Sequence, residues 1–240
     1  MATYVLVHGA WGGAWVWHRL LGPLRAAGHT AHAVTLTGTG DRAHLLHPGI
    51  GLADHVRDVV AVVQAEELGP VILVGHSYGG MVVTGAADAL LSAGTEVSQL
   101  VYVDAVVPHS GECWSSLHDA ETVAARTAAA RAHGHSLPPP GPAVFGLDAA
   151  DTAWLARRHV PHPFGPYREP LHFDAARLAL VPRTFVDCHA PAFPTIAPFR
   201  ARVRAEPGWD VREISTGHFP MVSTPEALAR ILLELAAVRR

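Results

Sequence analysis

The chain has 240 residues, 49% hydrophobic and 16% charged, which is enough for one sizeable core and too few residues for two full domains. A formal charge of −3 with scattered basic residues argues against a nucleic-acid surface, and no apolar run approaches the length of a membrane span. The 18 Lys-plus-Arg positions are all arginine, so lysine Schiff-base chemistry is excluded. Two cysteines, Cys113 and Cys188, make neither a disulfide framework nor a paired zinc motif. With no charged leader ahead of Thr3, the expectation is a soluble, cytoplasmic, single-domain protein.

The first half alternates short apolar runs with longer amphipathic ones. Thr3–Val7 reads as a buried strand, Trp15–Ala27 as a helix stopped by Gly28, and His29–Leu36 as a second strand. Thr37-Gly38-Thr39-Gly40-Asp41 is a loop with two glycine hinges. Leu52–Leu68 follows as a helix with Val56, Val59, Val60 and Val63 on one face, ended by Gly69-Pro70. Val71–Val74 is too short for a helix and suits a strand covered on both faces, Gly79-Gly80 opens a helix over Met81–Ala93, and Leu100–Val103 is the next strand. This alternation predicts βαβ units and a mostly parallel sheet with helices on both faces.

The pattern breaks after Pro108. Residues 108–181 hold an alanine-rich helix (Ala120–Ala132), two proline-rich stretches, a short helix near Ala149–Arg158, and the aromatic residues Trp114, Phe145, Trp154, Phe164 and Tyr167. That is too small for an independent core, so the segment reads as a cap inserted into a sheet domain made of residues 1–107 and 182–240. Its histidines, His133, His135, His159, His162 and His172, are scattered among prolines and read as solvated loop residues rather than a metal cage. The alternation resumes with a strand over Thr184–Cys188, a helix over Phe199–Ala205, a strand over Val211–Ile214 and a closing helix over Pro225–Val238.

Three motifs carry chemistry. Gly75-His76-Ser77-Tyr78-Gly79 is a G-x-S-x-G pentapeptide between an apolar strand and a helix, the setting in which a serine is held on a tight turn with its hydroxyl lifted above the sheet. His8-Gly9-Ala10-Trp11-Gly12-Gly13 follows the first strand, where a glycine-rich loop turns N–H groups toward a neighbouring strand end. The N–H groups of Ala10 and Tyr78 are therefore the candidate oxyanion donors, aided by the helix N-terminus behind Tyr78. His218 lies on the loop between the last strand and the last helix, where a general base for Ser77 is needed; His76 reads as structural. The third triad member is less local. The loop 189–194 after the penultimate strand contains no carboxylate, which leaves Asp187 within that strand and Asp104 at the end of the strand beside the nucleophile strand. Asp104 is favoured.

With these motifs in hand the chain resembles the α/β-hydrolases, in the branch of plant hydroxynitrile lyases, plant hormone methyl-ester hydrolases and many bacterial esterases. Tyr4–Trp11, Thr35–Leu45, Val74–Met81 and Leu100–Ala105 carry the resemblance over nearly the whole chain. The resemblance implies that positions 9 and 219 border the substrate. In the cyanohydrin lyases a threonine and a lysine stand there; Gly9 and Phe219 offer neither hydroxyl nor charge, which speaks against cyanohydrin cleavage. It also implies an acid near Ala190, where this chain has none. Assembly as a homodimer is a further implication.

The expected function is hydrolysis of a small-molecule ester with an apolar or aromatic acyl group through a Ser77–His218 acyl-enzyme, with no cofactor and no metal. Two alternatives stay open. One is a natural-product enzyme (lactone hydrolase, cyclase or carbon–carbon lyase) that uses the same dyad for acid–base chemistry. The other is a non-catalytic ligand-binding member.

Overall fold

The computed structural model describes residues 1–237. Six strands form one sheet: β1 (Thr3–Val7), β2 (Thr30–Val34), β3 (Val71–His76), β4 (Val97–Val103), β5 (Arg183–Cys188) and β6 (Trp209–Ile214). Their spatial order is β2-β1-β3-β4-β5-β6, and every neighbouring pair is parallel. The helices α1 (His18–Ala26), α2 (Leu52–Ala65), α3 (Gly79–Ser92), α6 (Ala197–Ala205) and α7 (Pro225–Ala237) are the crossovers and the closing helix. Val238, which the sequence pattern includes in the last helix, lies outside the described residues.

Alternation along the central strands explains why both faces are covered. Val5, Val7, Leu73, Leu100 and Tyr102 pack on one side with Val59 and Val63 of α2 and Leu90 of α3. Tyr4, Leu6, Ile72, Val74, Val101 and Val103 point the other way, against Leu20 and Leu24 of α1 and Leu228 and Leu232 of α7. A strand buried on both faces needs apolar residues at every position, which is what Val71–Val74 supplies.

The departures from the sequence pattern are local. Ala14–Trp17 forms a 3-10 turn ahead of α1, so the expected single helix is two pieces. The second strand ends at Val34 rather than Leu36, because the Leu36 N–H donates to His8 Nε2 (3.1 Å) instead of a ladder partner. β4 starts at Val97, three residues before the apolar run; Gln99 is buried there because its amide donates to Thr184 Oγ1 (2.9 Å) across the sheet.

Between β4 and β5 the chain leaves the sheet. It forms α4 (Ala120–Ala132), capped by Asp119, and α5 (Ala149–Ala156), capped by Asp148. The two-residue strands Ser136–Leu137 and His162–Pro163 pair antiparallel, and short helices cover Gly165–Arg168 and Ala175–Ala179. Trp11 fastens this segment to the first loop: its indole N–H donates to the Leu137 carbonyl (2.9 Å) and its carbonyl accepts from the Val160 N–H (3.1 Å).

Candidate active site

In a parallel sheet the loops at the carboxyl ends of the strands converge along one edge. Here that edge gathers His8–Trp11 after β1, Ser77 after β3, Asp104 after β4 and His218 after β6.

Ser77 has φ +53°, a left-handed conformation that is uncommon for a residue with a side chain. The turn is held from three sides. The Ser77 N–H donates to the Val103 carbonyl (3.3 Å), and the Ser77 carbonyl accepts from the N–H groups of Gly80 (3.1 Å) and Val106 (3.0 Å). It closes this tightly only around small residues: a Cβ at Gly79 would stand 2.7 Å from the Val7 carbonyl oxygen.

Ser77 Oγ lies 3.0 Å from His218 Nε2, and His218 Nδ1 lies 2.7 Å from Asp104 Oδ2. A carboxylate can only accept, so Nδ1 carries the proton and Nε2 is left with a lone pair toward the serine hydroxyl. The other oxygen of wholly buried Asp104 accepts from Arg200 Nη2 (2.5 Å). Arg200 also donates from Nε to Asp187 Oδ1 (2.6 Å), and Arg204 donates to Asp187 Oδ2 (2.5 Å). Both Asp187 oxygens are thus taken by arginines. The structure brings Asp104 to His218 and leaves Asp187 behind Arg200, an arginine that no sequence motif marks.

Of the expected oxyanion donors, Ala10 lines the cavity, and Tyr78 caps α3. Neither backbone N–H has a hydrogen-bond partner among the described residues. The Tyr78 side chain is anchored away from the cavity, its hydroxyl donating to His55 Nδ1 (2.9 Å) while His55 Nε2 donates to the Thr37 carbonyl (2.9 Å). The glycine-rich loop is anchored likewise. His8 Nε2 accepts from Leu36, so its Nδ1–H donates to the Gly9 carbonyl (2.7 Å), and burial pulls its pKa down to about 4. His76 donates from Nε2 to the His218 carbonyl (2.8 Å), a backbone support for the loop that agrees with its structural reading. Burial first, and then the nearby His218, hold His76 well below the usual histidine range.

These groups open onto a cavity of about 360 Å³. Gly9, Ser77, His218 and Phe219 lie on its wall, with Trp114, Leu137 and Phe145 contributed by the segment between β4 and β5. Gly9 sits against the nucleophile, since a Cβ there would come within 2.8 Å of Ser77 Cβ. Of the five aromatic residues noted in 108–181, only Trp114 and Phe145 line it; Trp154 packs edge-on against Trp15 (5.0 Å), and Phe164 packs against Tyr167 (5.8 Å).

The histidines of this segment divide. His133, His135 and His172 are exposed as expected, but His159 is half-buried and His162 is wholly buried. The pairing of His162–Pro163 with Ser136–Leu137 turns the His162 ring inward, 4.8 Å from Tyr78 and 5.8 Å from Trp114. Burial lowers its pKa well below the usual value and brings that of His159 to about 4. Among the described residues, no group of three His, Cys, Asp or Glu side chains is arranged to hold a metal ion, and no helix is long and apolar enough to cross a membrane.

The resemblance drawn from the motifs is matched by kinship. Residues 4–231 match the family described as "Alpha/beta hydrolase family", and the chain belongs to it. It is 39% identical to the carbendazim hydrolyzing esterase of Nocardioides sp. (strain SG-4G), over 98% of this chain and 100% of that one. It is 27% identical to methylesterase 7 of Arabidopsis thaliana, over 97% of this chain and 95% of that one. Its fold matches that of an extracellular alpha/beta-hydrolase from a Paenibacillus species with a TM-score of 0.82 at 20% identity, covering 98% and 99% of the two chains. The protein is an enzyme of the hydrolase class, and its relatives are esterases.

Proposed function

We propose that the protein hydrolyses small carboxylic esters with an apolar or aromatic acyl group through an acyl-enzyme on Ser77. The observation that carries this reading is the continuous chain Ser77 Oγ to His218 Nε2 (3.0 Å) and His218 Nδ1 to Asp104 Oδ2 (2.7 Å) at the edge of a mostly apolar cavity.

His218 takes the Ser77 proton as Oγ attacks the ester carbonyl, and Asp104 stabilises the imidazolium without taking its proton. The N–H groups of Ala10 and Tyr78 hold the oxyanion, each worth on the order of 3 kcal/mol in the barrier. His218 then protonates the leaving alcohol. Water, deprotonated by the same imidazole, attacks the acyl-serine and releases the acid. Residues 108–181 serve as a cap over this edge, a reading supported by the cavity wall that Trp114, Leu137 and Phe145 supply. The acid–base alternative drew its support from the carboxylate-free loop after β5; with Asp104 within 2.7 Å of His218, that support is gone.

Intact-protein mass after a fluorophosphonate probe tests the nucleophile. One stoichiometric adduct on the wild type, lost in Ser77→Ala, is expected. Folded wild type without an adduct would contradict the acyl-enzyme and favour the lyase or ligand-binding alternatives.

A further inference from the structure

The cavity wall holds one permanently charged side chain, and ester hydrolysis does not use it. Arg126 lies on α4, in the run Ala-Ala-Arg-Thr-Ala-Ala-Ala, and shares a helix face with Ala129 and Ala130. Ala130 is wholly buried and Ala129 lines the cavity, so this face carries Arg126 inward. Its guanidinium stands over the rings of Trp114 (5.3 Å) and Tyr167 (5.1 Å). Its Nη1 is buried without a hydrogen-bond partner.

Arg183 is held in a similar way over Trp209, with Nε unpartnered, but it lies outside this cavity, and many other arginines are neutralised. Arg19, Arg42, Arg177, Arg200, Arg202 and Arg204 each hold a carboxylate. Among the described residues Arg126 has no such partner, and the cavity lining contains no Asp, no Glu and no other Arg. Arginine stays protonated, so the cavity carries a positive charge that no carboxylate among the described residues neutralises, although Tyr167 contributes a hydrogen bond. A cation with no carboxylate partner next to apolar walls is costly, and a planar guanidinium is the group best shaped to take a carboxylate through two parallel hydrogen bonds.

We propose that Arg126 binds an anionic carboxylate at the end of the substrate remote from the scissile bond. The substrate class is then the half ester of a dicarboxylic acid, one carboxyl esterified and the other free. The proposal rests on the hydrolase reading of the same cavity and narrows it. The wall leads from one group to the other: Trp11 follows the oxyanion residue Ala10, its ring contacts Trp114 (6.2 Å), and Arg126 lies over Trp114. A substrate that meets both ends must therefore have a defined length.

The test uses monomethyl esters of straight-chain dicarboxylic acids of increasing length, each beside the isosteric ester whose free carboxylate is replaced by a neutral carboxamide. For wild type, kcat/KM is expected to favour the carboxylate roughly tenfold to hundredfold at one optimal length, the range of a charge-assisted hydrogen bond. Arg126→Met should bring that ratio to one or below, and Arg126→Lys should restore part of it. The ratio within one preparation does not depend on how much of a variant is folded, and the wild-type comparison stands without any variant. A wild-type ratio at or below one at every length overturns the proposal, as does a preference that survives Arg126→Met. Those results leave the hydrolase reading intact if the carboxamide esters turn over. No turnover of either series and no fluorophosphonate adduct would overturn both.

Discussion

Asp104 Oδ2 lies 2.7 Å from His218 Nδ1, across 114 residues of sequence, and is the contact that fixes the histidine tautomer facing Ser77. The carboxylate comes from the end of β4, beside the nucleophile strand, and not from the loop after β5.

This assignment separates the two candidate acids. Asp104→Asn should lower kcat by about 10⁴, the loss expected when a triad histidine is held in the wrong tautomer. Asp187→Asn should keep kcat within about tenfold of wild type, because Asp187 reaches the site only through Arg200. Ester turnover of the two purified variants decides it; equal losses would contradict the assignment.

Arg200 joins Asp104 and Asp187, with side chains 11%, 0% and 4% exposed respectively. Arg200→Met removes the positive partner of a buried carboxylate and should destabilise the protein by about 3–5 kcal/mol. Urea unfolding would show this as a lower midpoint. A midpoint equal to wild type would mean that Arg200 does not neutralise Asp104.

Gly9 is a place where one methyl group should matter. Its Cβ would meet Ser77 Cβ at 2.8 Å and His76 Nδ1 at 3.0 Å, and the Ser77 turn is too well held to yield without moving Oγ relative to His218. Gly9→Ala should lower kcat by roughly 10², the cost of a misplacement near 1 Å, while circular dichroism stays that of the wild type. Wild-type turnover in this variant would show that the contact relaxes without disturbing Ser77.

Much of this site is written locally. Ser77, the His8–Gly13 loop and His218 each stand at a strand end that can be recognised from the apolar run before it, so motif and placement reinforce each other. The acid was legible only as a choice between two strand ends, since pairing with His218 depends on the sheet order. Arg200 and Arg126 were not legible: one sits in a short helix with alternating arginines, the other in an alanine-rich helix where no motif surrounds it. His162 reads as a loop residue among prolines because the two-residue strand that buries it is set by a partner elsewhere in the chain.

The buried histidines make stability depend on pH. Burial lowers the pKa of His8 to about 4 and pulls those of His55, His76 and His162 below the usual 6.5. Between those folded values and about 6.5 the unfolded chain binds protons that the folded chain does not, so stability rises with pH in this window. It should be full above 6.5 and fall on acidification toward 4, by about 1.4 kcal/mol per pH unit for each such histidine. Urea midpoints at pH 7.5, 6 and 5 measure it. Equal midpoints would mean that these rings are not held neutral.

The most direct measurement of the central claim is hydrolysis of a p-nitrophenyl ester by wild type and by Ser77→Ala, with acid-quenched intact mass at early times. An acyl adduct on the wild type alone, and a loss of at least about 10³ in kcat in the alanine variant, is the predicted result. Turnover by Ser77→Ala within tenfold of wild type would contradict it, because the hydrolysis would then not pass through Ser77.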